Sequence, residues 1–387
     1  MSEGCWQLEA QDGDSAARAG WLRARDGTRL PTPLFQPVAT AGTLRTLDWR
    51  DLRSLGYAHV LMNTYHLVVR PGLPVIELAG GIREFTGWRG SVLTDSGGYQ
   101  AYSLGSRVSL KRDGVRFVDH IDGGRWHFSP ELVLRAQLAF GVDFAMCLDI
   151  CTGLPAARAR VERDLELTHA WATEQAERWP QLLREHSLTG PGAPRLLGIV
   201  QGGLHEDLRE RSIEHLAALP FDGLAVGGLS VGESRNDFRR LAAFCGPRLP
   251  ADRVRYLMGV GEPADLLYAI AQGFDLFDCV QPTRLARHGT AFTRRGKLHV
   301  KHARFTADRR PLDPGCRCPV CRGYSRAYVR NLFLLKEHSY ARLLTLHNLC
   351  FYRDLLARAR RRIIAGTYGK WWPRQVRAMD RVVPEDL

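Results

Sequence analysis

A chain of 387 residues with 45% hydrophobic side chains is long enough to bury a large core, as one big domain or two. It holds no apolar run of membrane-spanning length, and Met1-Ser-Glu-Gly-Cys-Trp6 lacks the basic-then-apolar pattern of a secretory leader. The nine cysteines are an odd number, and six of them (Cys5, Cys147, Cys151, Cys245, Cys279, Cys350) are scattered, which excludes a disulfide framework and points to the cytoplasm. The net charge of +13 is uneven: from Arg284 onward 24 Lys and Arg stand against 7 Asp and Glu, whereas the preceding part holds 30 and 34. A run such as 358–362 alone reads as a solvated helix face. A bias across a hundred residues implies a docked polyanion, with nucleic acid favoured.

In chain order, eight short apolar runs predict strands at 33–39, 59–63, 91–95, 142–149, 195–201, 223–228, 255–260 and 276–280. Most are continuous rather than alternating, as expected of strands covered on both faces in a parallel sheet. Helical periodicity lies between several of them, at 130–140 and 156–185. Eight strand–helix units predict an α/β fold, a (β/α)8 barrel; a doubly wound sheet is the alternative, but no G-x-G-x-x-G follows the first strand.

Asp95, Asp149, Gln201, Gly228 and Asp278 sit at or near the C-terminal ends of these runs, and that face of a barrel carries the active site. Singly, each aspartate reads as a cap or turn residue. Together, three carboxylates at one rim suit a nucleophile, a general acid/base and a recognition group for an amidine or guanidine edge. Glycine pairs after the strands (Gly97-Gly98, Gly202-Gly203, Gly227-Gly228, Gly259 and Gly261) let backbone approach a flat ligand, which Tyr99 and Met258 are placed to sandwich. No phosphate-cradling G-x-x-x-x-G-K-[ST] is present.

Cys316-Arg-Cys318-Pro-Val-Cys321 supplies three soft ligands for a tetrahedral metal, zinc above all, and an imidazole would close the site. His347, His338 and Cys350 are all placed to be the fourth ligand. A site filled by four protein ligands leaves no reactive water, so the ion is expected to be structural.

These residues resemble the tRNA-guanine transglycosylases of the bacterial type. The match runs nearly end to end, from Thr32-Pro-Leu-Phe-Gln-Pro-Val38 to the last helix. It is carried by Asn63-Thr-Tyr-His-Leu67, Thr94-Asp-Ser-Gly-Gly-Tyr-Gln100, Gly198-Ile-Val-Gln-Gly-Gly203, Ala225-Val-Gly-Gly-Leu-Ser-Val-Gly-Glu233, Tyr256-Leu-Met-Gly-Val-Gly261, Phe277-Asp-Cys-Val-Gln-Pro-Thr-Arg284 and the Cys–His cluster. The resemblance implies replacement of the wobble guanine of GUN anticodons by a queuosine precursor. Asp278 would then be the nucleophile and Asp95 the general acid/base. Asp149, Gln201, Gly228 and Leu229 would bind the base between Tyr99 and Met258, with Glu233 behind the Leu229 peptide. It also implies one structural zinc held by Cys316, Cys318, Cys321 and His347, a tRNA anticodon arm and a deazaguanine base as partners, no membrane, and a homodimer. Residues 1–283 would form the catalytic barrel, with 284–387 a basic zinc-binding subdomain and closing helices.

Some positions depart from the family pattern. Ile150 stands where the bacterial members commonly have Glu, and Gln36, Ala39 and Gln281 stand where apolar, Gly and apolar residues are more usual. Cys151 and Val231 resemble the precursor-using members and favour 7-aminomethyl-7-deazaguanine over queuine. The alternatives are a queuine-using or other deazapurine or nucleic-acid transglycosylase, a non-catalytic partner subunit, and a zinc-dependent barrel hydrolase. Retention of Asp95 and Asp278 opposes the second; the lack of histidines at the strand ends opposes the third.

Overall fold

A computed structural model describes residues 4–103, 108–119 and 123–379. The chain begins with an antiparallel sheet of β1 (Trp6–Gln11), β2 (Arg18–Arg23) and β3 (Arg29–Thr32), which the apolar runs did not predict. The predicted first strand splits at Pro37 into β4 (Leu34–Gln36) and β5 (Val38–Ala39). Next come β6 (His59–Met62), β7 (Ser91–Thr94), an inserted antiparallel sheet of β8 (Val108–Lys111), β9 (Gly114–Val118) and β10 (Arg125–Phe128), and then β11 (Phe144–Met146). The barrel is completed by β12 (Arg195–Val200), β13 (Gly223–Val226), β14 (Val254–Leu257) and β15 (Leu276–Asp278).

The parallel sheet has the order β4-β15-β14-β13-β12-β11-β7-β6-β5. Because β4 pairs with β15 and β5 with β6, the ring is interrupted only at Pro37, which has no N–H to give. Its carbonyl still accepts from Leu61 N at 3.0 Å. Every residue of β6, β7, β13 and β14 is buried, which is why their sequences read as unbroken apolar runs. Helices cover the outside. The predicted 130–140 segment is the helix Pro130–Phe140, started by Ser129 Oγ accepting from Leu132 N at 3.1 Å and stopped by Gly141. The longer pattern is the helix Arg158–Glu185. No helix among the described residues is long and apolar enough to cross a membrane.

The two ends of the barrel differ. Asp275, just before β15, holds Arg18 of β2 through two hydrogen bonds of 3.0 and 2.6 Å, and Arg255 N donates to it at 2.8 Å. The N-terminal sheet therefore covers the end where the strands begin, leaving the strand C-termini as the accessible rim. After β15 the chain forms the hairpin β16 (Thr290–Thr293) and β17 (Gly296–His299), short helices Pro319–Gly323 and Arg326–Leu334, and the long helix Ser339–Ile364. That long helix packs back on the barrel. Asn348 Nδ2 donates to the carbonyls of Pro282 (3.0 Å) and Thr290 (3.1 Å), and Tyr57 Oη donates to that of Leu349 at 2.9 Å.

Gln36, unusual as a polar barrel residue, is fully buried and accepts from His59 Nε2 at 2.6 Å. His59 Nδ1 then accepts from Ser91 Oγ at 2.9 Å, and burial pushes this imidazole down to about 3, so it stays neutral.

Candidate active site and metal centre

Asp278 ends β15 and Asp95 follows β7 directly, so both carboxylates stand at the strand C-termini. Their environments differ. One Asp278 oxygen, Oδ1, accepts from Tyr256 Oη at 2.5 Å and from Gly259 N at 2.9 Å. Asp95 accepts from Thr64 N (3.0 Å) and Gly97 N (3.1 Å) through Oδ1, and from Asn63 Nδ2 through Oδ2. Asn63 can do this because its own Oδ1 caps the helix Thr64–Val69, accepting from His66 N at 3.0 Å. Burial raises the pKa of Asp278, and it pushes Asp95 up to about 7, with the nearby negative charge of Asp278 adding to the effect. Two carboxyl groups face each other's fields, one of them poised to change protonation near neutrality.

Asp149 lies three residues past β11 and is buried, accepting from Ser96 Oγ at 2.8 Å and from Gln201 Nε2 at 2.7 Å. Desolvation raises its pKa as well. Gln201 follows β12 and is fixed by its own N–H donating to Ser212 Oγ at 3.3 Å. Gly228, two residues past β13, has φ +64°, and a Cβ there would come within 2.5 Å of Gln201 Oε1. Only glycine lets this backbone lie against the Gln201 amide. Glu233 accepts from Ser230 N at 2.5 Å and Val231 N at 3.0 Å. Ser230 N belongs to the Leu229 peptide, so this geometry turns the Leu229 carbonyl away from Glu233. Tyr99 stands in the first turn of the helix Gly98–Ser103 and is 51% exposed, while Met258 follows β14 half-buried. Of the departures, Ile150 is buried with its N–H on Thr168 Oγ1 at 3.1 Å, and the Cys151 thiol is pushed up to about 12 by burial.

The metal cluster forms away from these groups. Ligand atoms of Cys316, Cys318, Cys321 and His347 all lie within 4.8 Å of one another. The set fits a single tetrahedral ion, and local structure prepares it. Cys318 caps the helix Pro319–Gly323, its sulfur accepting from Cys321 N at 3.3 Å, and Cys316 Sγ accepts from Cys318 N at 3.4 Å. His347 Nε2 donates to the Phe292 carbonyl at 2.8 Å, which leaves Nδ1 as the electron-pair donor. That nitrogen lies 3.5 Å from Cys318 Sγ and 3.3 Å from Cys321 Sγ. Of the rival fourth ligands, His338 is exposed at the start of its helix, and Cys350 lies beside the cluster rather than in it.

The family model described as queuine tRNA-ribosyltransferase matches residues 12–381. The chain belongs to that family. A relative from Solidesulfovibrio magneticus, named queuine tRNA-ribosyltransferase, is 45% identical over 359 residues, 93% of this chain and 94% of its own length. Others of the same name are 46% identical over 362 residues in Acidithiobacillus ferrooxidans (93% and 94%) and 42% over 384 residues in Nitratidesulfovibrio vulgaris (99% and 98%). The queuine tRNA-ribosyltransferase family is one of pentosyltransferases, and this chain is an enzyme of it.

One residue of this family fold escaped the sequence reading. Arg209, on the helix Glu206–Ala217, is fully buried and donates to the carbonyls of Gly203 (2.8 Å), Gly227 (3.1 Å) and Gly228 (3.3 Å). It ties the loops after β12 and β13 together behind Gln201. The available signal was the pair of Gly-Gly loops, whose clustered carbonyls need a donor. Nothing in the charged pattern of that helix distinguishes Arg209 from its solvated neighbours.

Proposed function

We propose that this enzyme replaces the wobble guanine of GUN-anticodon tRNAs with 7-aminomethyl-7-deazaguanine through a covalent ribosyl–aspartate intermediate. The observation that carries the reading is the contrast between Asp278 and Asp95. Tyr256 and Gly259 hold Asp278 by one oxygen, which directs the other at C1′ of the ribose. Asp95, with its pKa near 7, gives a proton to the departing guanine and later takes one from the incoming base. Two displacements at C1′ retain configuration and give ping-pong kinetics. Asp149, Gln201 and the backbone of Gly228 and Leu229 read the base edge, Tyr99 and Met258 stack on its faces, and Glu233 sets the Leu229 peptide. Guanine offers N–H donors where Asp149 offers a desolvated carboxylate. The closed fit of base and tRNA keeps water from the ester, whose hydrolysis would leave an abasic site.

Around this site, the anticodon arm lies on the basic residues after Arg284, where phosphate contacts position the RNA and the pocket reads it. The division at 283/284 separates these two tasks. The metal is one zinc per chain; once bound it supplies no reaction chemistry and fixes the short helices between the hairpin β16–β17 and the helix Ser339–Ile364. A homodimer is supported by exposed apolar side chains on this subdomain: Tyr324 and Tyr328, stacked at 5.5 Å, with Leu334 and Leu335. We place the enzyme in the cytoplasm.

The test is labelled-guanine exchange into tRNA, followed by incorporation of the deazaguanine. Wild type exchanges and traps a covalent RNA adduct; Asp278→Asn shows no adduct and at least about a thousandfold less exchange. Full activity of Asp278→Asn would overturn the mechanism.

A further inference from the structure

The hairpin β16–β17 and the loop that leads to Cys316 enclose a cavity of about 330 Å³. Its wall carries six cationic side chains, Arg294, Arg295, Lys297, Arg304, Arg310 and Arg326, and one carboxylate, Asp313. Carboxylates neutralise part of that charge. Asp313 Oδ2 accepts from Arg294 Nε at 3.2 Å, Glu262 Oε2 from Lys297 Nζ at 2.7 Å, and Asp308 Oδ2 from Arg310 (2.9 Å) and Arg326 (3.1 Å). Arg295 has no carboxylate partner among the described residues, so the wall keeps a surplus of positive charge. Arg294 is held for contact with a ligand. Buried Asp313 takes its Nε, while its Nη2 is buried with no hydrogen-bond partner. The guanidinium lies so close to Gly315 that a Cβ there would stand 1.7 Å from Nη2 and 2.2 Å from Cζ. Gly315 is not in the left-handed region, so its missing side chain serves this approach rather than its own backbone conformation. A buried charged N–H group without an acceptor is costly, and an acceptor held in the cavity removes that cost. Guanidinium groups match phosphate oxygens in geometry as well as in charge.

We propose that this cavity is a phosphate-binding site in which Arg294 Nη2 is the central donor and Arg295 supplies further charge. The group bound is a backbone phosphate of RNA or free inorganic phosphate, which present the same oxygens. The RNA source rests on the reading that the anticodon arm docks on the residues after Arg284. Binding of inorganic phosphate to the protein alone does not.

The full-length protein is titrated with inorganic phosphate by calorimetry, and separately with an anticodon stem-loop RNA over a range of salt concentrations. Arg294→Gln removes the guanidinium; Gly315→Ala keeps every charge and displaces it. Metal content and the thermal transition are checked first in both, because Gly315 precedes Cys316. Each variant should bind inorganic phosphate at least about fivefold more weakly than wild type. Arg309→Gln, which alters an exposed arginine outside the cavity wall, should bind it as wild type does. Where RNA is the source, stem-loop affinity falls in both variants, and the log–log salt slope of Arg294→Gln is shallower by about one. Unchanged stem-loop binding beside weakened phosphate binding assigns the site to the free ion. The proposal is overturned if either folded variant binds both ligands as wild type does, or if Arg309→Gln weakens inorganic phosphate as much as Arg294→Gln. Absence of labelled-guanine exchange in the wild type would refute the base-exchange reading and leave the phosphate result standing.

Discussion

The barrel mouth and the metal subdomain hold their functional groups by opposite means. At the mouth, Asp95, Gln201 and Asp278 are fixed by the strands they end, and each side chain is tied to backbone or neighbouring strands. In the subdomain, the cysteines sit on a loop and the five-residue helix Pro319–Gly323, which cannot stand alone. Their order comes from the ligand set, with the Phe292 carbonyl holding His347 from the hairpin. On the proposed function, charge chemistry sits on the rigid element, and RNA docking on one that a bound ion would organise.

Breaking the metal end should have the largest structural effect. Cys318→Ser, or chelation of the wild type, is expected to leave the barrel's thermal transition in place while the segment 304–338 becomes rapidly cut by protease. Structural zinc sites hold about 10 kcal/mol or more of apparent binding energy in small domains. An ion-free protein with the protease resistance of the loaded one would refute the distinction drawn between the two regions. At the mouth, the largest effect short of Asp95 and Asp278 belongs to Arg209→Met. Three buried carbonyls lose their donor, at a cost of roughly 1–3 kcal/mol each before relaxation. Denaturant unfolding should show that loss. The KM for the base should rise more than kcat falls, because Gly228 moves while Asp278 does not. An unchanged KM would mean the two glycine loops are held without Arg209.

The same division explains what could be read from sequence. All eight apolar runs form barrel strands, because burial on both faces leaves a continuous signature. Their polar ends mark the rim for the same reason, as at Gln201 after β12. The first run hid its split at Pro37, since a missing N–H changes pairing without changing hydrophobicity. The sheets β1–β3 and β8–β10 stayed invisible: β1 is mostly exposed, and β3 and β8 alternate burial over only four residues, so none of these leaves a continuous apolar run. The three cysteines declared a metal site by spacing, but the fourth ligand needed the fold or the family resemblance. His347 is separated from Cys321 by the helix Arg326–Leu334, and only packing brings its Nδ1 to the sulfurs. Arg209 was illegible because its partners are carbonyls, which every residue has.

A smaller, sharper test of the mouth lies in the pH dependence of stability. Asp95 ionises near 3.8 in an unfolded chain and at about 7 in the fold, so between those values the folded state holds a proton that the unfolded state has lost. Its contribution is therefore fully present below pH 3.8, declines as pH rises, and levels off above about 7. Asp95→Asn abolishes this titration. It also turns an amide toward Asn63, whose own oxygen is already committed to His66 N, so the variant carries a penalty that does not depend on pH. Asp149 and Asp278, also raised by burial, titrate in both proteins and mostly cancel in the difference. Stability of Asp95→Asn minus that of wild type, from denaturant melts at matched pH, should rise between pH 4 and 7 and then flatten. Each unit of pKa difference is worth about 1.4 kcal/mol. A flat or falling difference would mean that Asp95 is ionised throughout this range. It would then reach the leaving guanine without a proton, and the acid role would have to pass to another group.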